Sequence, residues 1–387
     1  MRKARSSWQL PEAAKAEARS DRRGLAASDH ATAVAVREAI AWLCRAQDYS
    51  TTSDGGVARH FSLVHGWGPS YPETTGYIVP SVLAFARHTG DAGLASRAKR
   101  MLDWLLSIQF PNGAFQGGII GAQPLVPVIF NTGQILLGLA AGAKEFGEPY
   151  RSSMIRAADW LVDTQDSDGC WRKHPSPFAA AGEKTYDTHV AWGLLEAARV
   201  APEKGYERAA LANVEWALTH QRPNGWFENC CLTDPTKPLT HTLGYALRGV
   251  VEAFRFSQEE RFLLAARRAA DGLLTTLGED GFLPGQLSSE WKPAARWACL
   301  TGTVQIASCW LLLFQATGET RYKKAAQSAN RYVRRTQNIH GRPEVRGAIK
   351  GSFPVDGEYG ENQYLNWAAK FFIDSNFLEQ HLRGEDT

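Results

Sequence analysis

One short element, repeated along the chain, limits the possible folds more than any other feature. Between Arg156 and Trp171 it reads as the last two turns of an amphipathic helix, a tight polar turn and an aromatic residue. Trp160 and Leu161 face a core, Gln165 closes the helix, and Asp168-Gly169 supplies the left-handed residue at which the helix stops. Related copies are Trp42-Leu43 with Gln47 and Asp54-Gly55, Trp104-Leu105 with Gln109 and Asn112-Gly113, and Trp216 with Gln221 and Asn224-Gly225. Two eroded copies follow, around Leu273-Leu274 with Asp280-Gly281 and around Tyr332-Val333 with Gln337 and Gly341. Gln109, Gln165 and Gln221 are 56 residues apart. So regular a period marks an array of supersecondary units, each burying its apolar face against its neighbours.

Arrays evade the limit of ~250–300 residues at which a single compact core stops growing. The 387 residues, 44% of them hydrophobic and 13 of them Trp, therefore suit one domain. Each unit has a first helix carrying exposed charge, such as Arg97-Ala98-Lys99-Arg100, and a second, nearly uncharged helix opened by small polar residues. Examples of these openings are Thr74-Thr75-Gly76, Asn131-Thr132-Gly133 and Asp187-Thr188-His189, whose Thr and Asp residues suit N-caps. Charged helices belong outside and apolar ones inside, packed on both faces. Six hairpins fit between Ala31 and Glu379. The expected fold is all-α, an (α/α)6 toroid over residues 29–380, with a basic polar tail at 1–28 that carries a short helix over Glu12–Arg22, and a short tail at 381–387. Pro80 is expected to kink the first inner helix or delay its start.

The segment 156–171 resembles the repeat of the triterpene cyclases, with Arg156, Ala157, Trp160, Leu161, Gln165, Gly169 and Trp171 in the repeat's slots. In that family the element ties outer helix ends together, so the resemblance implies the toroid and says little about chemistry. Residues 71–78, behind Trp67-Gly68-Pro69-Ser70, resemble toroid proteins encoded in bacterial exopolysaccharide clusters.

In a toroid the long turns feeding the inner helices gather at one mouth, where helix N-termini favour anions. These turns span 54–73, 112–130, 168–187, 224–241, 280–301 and 340–361. Carboxylates, histidines, tyrosines and arginines beside flat aromatics suit saccharides, whose apolar faces stack and whose hydroxyl and uronate groups take charged hydrogen bonds. Glu73, Asp187 and Glu361 are the expected acid/base groups, assisted by Tyr77, Tyr186, His189 and His241. Arg59, His65, Tyr71, Lys173, Arg296 and Tyr359 are expected to hold substrate, with Trp67, Trp291 and Trp297 stacking on it. Repeats one and six become neighbours on ring closure, which would bring Glu73 towards Glu361. The bland reading makes each acid a helix cap and Trp171 and Trp226 lids of their own repeats.

The expected activity is acid/base catalysis on an acidic saccharide chain in bacterial polysaccharide synthesis or processing, of the glycoside hydrolase or uronate epimerase/lyase type. One alternative is a non-catalytic saccharide-binding or scaffold protein. A terpenoid cyclase or prenyltransferase-like enzyme is another, weakened by the lack of an Asp-x-Asp-Asp run and by the charged turns. No phosphate-cradling loop or metal-ligand spacing appears, so neither cofactor nor metal is expected. Net charge is +3, with seven basic against three acidic residues in 1–24, so the body is nearly neutral and nucleic acid is not an expected partner. Apolar runs such as 307–314 are too short to span a bilayer, and the basic start has no apolar segment behind it. The six cysteines form no CxxC pair and read as free thiols, so the expected location is the cytoplasm.

Overall fold

The computed structural model describes residues 10–384 except 124 and 181. After α1 (Glu12–Asp21), twelve helices alternate between an outer and an inner ring. The outer helices are α2 (Thr32–Asp48), α4 (Ala92–Ile108), α6 (Tyr150–Thr164), α8 (Tyr206–Thr219), α10 (Glu260–Leu274) and α12 (Thr320–Arg334). The inner ones are α3 (Pro72–Thr89), α5 (Ile129–Phe146), α7 (Thr188–Val200), α9 (Thr240–Ser257), α11 (Leu300–Thr317) and α13 (Asn366–Arg383). Each inner helix packs on the next, and α13 returns to pack on both α2 and α3. The ring is closed.

The repeated glutamines explain how neighbouring repeats lock. Gln165 Nε2 donates to the carbonyl of Gly169 in its own turn and to that of Ala209 in α8, both at 2.9 Å. Gln47, Gln109 and Gln221 donate the same pair of hydrogen bonds, to the carbonyl of their own turn glycine and to those of Arg97, Ser153 and Ala265 in the next outer helix. Gln337 closes the circle by donating to Gly347 and to Ala35 of α2. The turn glycines press against the following outer helix. At Gly113, with φ of 92°, an added Cβ would lie 2.2 Å from the Arg156 carbonyl oxygen. In repeat six this position belongs to Gly347, with φ of 77° and an added Cβ 2.1 Å from the Glu38 carbonyl oxygen, rather than to Gly341. A longer turn there displaced the signal from its expected spacing.

Short strands finish the mouth side. β1 (His60–Ser62) pairs with β2 (Gly66–Trp67) and with β5 (Gln363–Leu365), joining repeat one to repeat six. β3 (Ala298–Cys299) pairs with β4 (Ser352–Phe353).

Several expectations need correction. The short helix expected in the polar tail is present as α1, but it packs on the ring, with Ala14 and Ala18 buried. Asp21 takes Lys350 Nζ at 2.5 Å and the Val355 N–H at 2.8 Å, and Glu17 takes Lys350 at 2.6 Å. The inner-helix threonines are not caps. They sit within the first turn, where Thr75 and Thr132 hydroxyls accept the N–H groups of Val57 and Phe115 and pin each long turn to its helix. Pro80 lies inside a continuous α3, whose start is set by Pro72. The inner ring also carries charge, because Lys370 pairs with Asp374 at 2.6 Å and Arg248 with Glu252 at 2.7 Å. α11 is long and apolar enough to pass for a membrane span, but 78% of that window is buried inside the ring.

Candidate active site

At the mouth a cavity of about 130 Å³ opens between the starts of the inner helices. Its polar wall holds Arg59, Glu73, His241 and Tyr359, and its aromatic side is built from Phe130, Tyr186, Tyr77 and Tyr245. Glu73 stands in the first turn of α3, behind Pro72, and accepts the Tyr71 hydroxyl at 2.9 Å. Burial pushes its carboxyl up to about 7, against the opposing pull of the Tyr71 hydrogen bond and the Arg59 charge. The Arg59 guanidinium lies 5.0 Å from the Trp367 ring centre and 5.8 Å from that of Tyr71, fixed but still cationic towards the cavity.

His241 comes from α9, the fourth inner helix, half a ring away from α3. Its Nδ1 is 2.8 Å from Gln305 Oε1, and with the proton on Nδ1 the lone pair falls on Nε2. Burial holds its pKa down to about 4, so the ring is neutral at pH 7. Tyr245 and Tyr359 flank it at 4.4 and 5.2 Å between ring centres. His189 repeats the pairing one step round the ring, with Nδ1 2.6 Å from Gln134 Oε1, while its Nε2 is buried without a partner. The Tyr77 hydroxyl faces that of Tyr245, and the Asn131 side chain faces the Tyr71 hydroxyl.

Residues 70–254, a little under half of the chain, match the family model of the squalene-hopene cyclase C-terminal domain. Among solved structures, the chain resembles an unsaturated glucuronyl hydrolase specific for heparin, with a TM-score of 0.72, 16% identity, and 90% of this chain and 97% of that one covered. It also resembles the unsaturated glucuronyl hydrolase of Bacillus sp. GL1, described as responsible for degrading glycosaminoglycan, with a TM-score of 0.71, 16% identity and coverages of 92% and 97%. A D-mannose isomerase superposes with a TM-score of 0.69, 11% identity and coverages of 91% and 97%. This chain is an α/α toroid. No curated protein matches its sequence. At these identities the likeness to solved structures is one of fold.

The toroid brings together seven of the sequence-derived site residues around the cavity: Arg59, Tyr71, Glu73, Tyr77, Tyr186, His241 and Tyr359. Asp187 and Lys173 line an adjoining recess behind Phe130 and Tyr186. Burial raises the Asp187 carboxyl to about 8, opposed by the charge of Lys184. His189 sits fully buried against Tyr245 and Trp192. Glu361 is exposed and lines neither recess. Repeats one and six do meet, but the chain enters β5 against β1 before α13 begins at Asn366, which leaves Glu361 on the surface. Arg296 is exposed ahead of β3, and His65 is exposed at the β1–β2 turn. The three tryptophans chosen for stacking pack into the scaffold instead. Trp67 stacks with Tyr49 beside Trp42, Trp291 covers Gly272 and donates to the Asn224 carbonyl, and Trp297 covers Gly285.

Sequence reasoning missed Tyr245, Phe130 and Trp367. A signal for Tyr245 was present. It follows His241 by four residues, as Tyr77 follows Glu73, so both pairs place successive side chains on one helix face towards the bore. The flap residues Ser176, Phe178 and Leu232 carried no such periodicity, since they reach the cavity from long turns.

Proposed function

We propose that the protein is an enzyme performing acid/base chemistry on an acidic saccharide, of the glycoside hydrolase or uronate epimerase/lyase type. One observation carries this reading: a half-buried carboxyl with a pKa near 7, Glu73, shares one cavity with a neutral histidine, His241, on the opposite inner helix. A group titrating near the working pH can both give and take a proton. Glu73 is the general acid and His241 the base. Arg59 pairs with the substrate carboxylate, and the Tyr77 hydroxyl, on the cavity wall, takes a sugar hydroxyl. Placing acid and base on opposite sides of the bore suits protonation and deprotonation on opposite faces of a sugar ring. The hydrolases and the isomerase of similar fold support a sugar substrate, and the glucuronyl hydrolases support an acidic one.

Bacterial polysaccharide synthesis or processing is the setting we infer, from the resemblance of residues 71–78. Six unpaired cysteines support a reducing compartment such as the cytoplasm. The test is turnover of saturated and unsaturated oligouronates, followed by sugar analysis and by deuterium uptake from solvent. The rate should fall above pH ~7 as Glu73 loses its proton and below pH ~4 as His241 gains one. Binding without turnover or deuterium uptake across the panel would leave a saccharide-binding protein in place of an enzyme.

A further inference from the structure

Trp367 stands in the first turn of α13, the sixth inner helix, at the seam where the ring closes. Its neighbour Asn366 ties that turn to repeat one. The Asn366 N–H bonds the Arg59 carbonyl at 3.3 Å, and its side-chain amide donates to the Ala58 carbonyl at 3.0 Å and to Thr74 Oγ1 at 2.8 Å. The indole is buried and lines the cavity together with Arg59 and Tyr359. The Arg59 guanidinium lies over its ring, and its Nε1 donates to the Tyr359 hydroxyl at 2.8 Å. An indole N–H can only donate, so the Tyr359 oxygen is the acceptor and its own proton points elsewhere. Among the described residues that proton meets no acceptor. Burial holds the hydroxyl well above its usual pKa, so it stays protonated at neutral pH. The Tyr359 backbone is clamped as well. Ser352 Oγ donates to its carbonyl at 2.6 Å and accepts its N–H at 3.1 Å.

We propose that Trp367 is the positioning residue of the mouth: its face holds Arg59, and its N–H takes up the Tyr359 oxygen, which leaves the Tyr359 proton for an oxygen of the sugar beside His241. This rests on the saccharide reading above and adds a hydrogen-bond donor on the base side of the cavity. One rigid ring thus fixes both the cation and the hydroxyl before substrate arrives, so little ordering remains to be done on binding. Phenylalanine would offer the face without the N–H, and leucine neither, so the two roles of the indole separate by substitution.

Titration of the full-length Glu73→Gln chain, in which turnover is blocked, with methyl β-D-glucopyranosiduronic acid and with the neutral methyl β-D-glucopyranoside tests the inference. Tyr359→Phe and Trp367→Phe should each weaken both glycosides about five- to tenfold. The double substitution should weaken them no further, because the N–H acts through the hydroxyl. Preference for the acid over the neutral glycoside should persist in Trp367→Phe and fall in Trp367→Leu, where Arg59 loses the ring beneath it. Should Trp367→Leu fail to fold, Trp367→Phe and the double substitution carry the test. Losses that add in the double substitution, or a Tyr359→Phe chain that binds both glycosides as before, would overturn the inference and leave the saccharide reading standing. Coupled losses with no preference for the acid would support the Tyr359 assignment and overturn the acidic substrate. Binding of neither glycoside would overturn both.

Discussion

The turns that end the outer helices and the turns that begin the inner ones follow opposite rules. At the outer ends, five glutamines make the same pair of bonds, and the turn glycines press on the next helix in the same way. At the inner starts, one helix carries Glu73, the next Asn131, then Asp187 with His189, then His241, and later Gln305 and Asn366. Sameness at the first set builds the ring, and difference at the second furnishes its mouth. A residue that breaks the repeat is therefore the better candidate for chemistry, provided the ring turns it inward.

The sharpest test of that division is Glu73→Gln. Turnover should fall about a thousandfold, roughly 4 kcal/mol in the barrier, with the thermal transition retained or raised. A large loss of stability would move Glu73 to the architectural side. Gly113→Ala should do the opposite, costing at least about 3 kcal/mol through its left-handed backbone and the clash with Arg156, as read by denaturant unfolding. Protein that still folds should retain its turnover number.

Lys350→Met tests the join between α1 and repeat six. It strands the buried Asp21 carboxylate and should cost about 3 kcal/mol at pH 8. Burial already raises the Asp21 pKa, so its neutral form is favoured as pH falls, and the penalty should shrink by pH 5. The smallest expected effect comes from Glu361→Gln and Arg296→Ala, which should change turnover less than twofold because both side chains are exposed outside the cavity. A large loss in either would mean that the mouth closes differently around substrate.

These contrasts also show what was legible in the sequence. The Trp-Leu, Gln and Asp-Gly spacing follows from helix periodicity and turn chemistry, which are local, so six hairpins could be read directly. Glu73, Tyr77 and His241 were readable because helix starts project towards the axis at fixed spacing. Glu361 was misplaced because strand β5, which takes up the chain before α13, needs a partner three hundred residues away. Trp291 and Trp297 were misassigned for a related reason. They stand outside the repeat pattern yet fill space over Gly272 and Gly285, which no local pattern reports.

α13 packs on α2 much as α3 packs on α4, with one difference: α3 and α4 are joined through Gly90, whereas nothing covalent joins α13 forward to α2. Gln380 and Ala33 border the same groove there. The ring is thus a necklace whose seam between α13 and α2 is held by packing and hydrogen bonds.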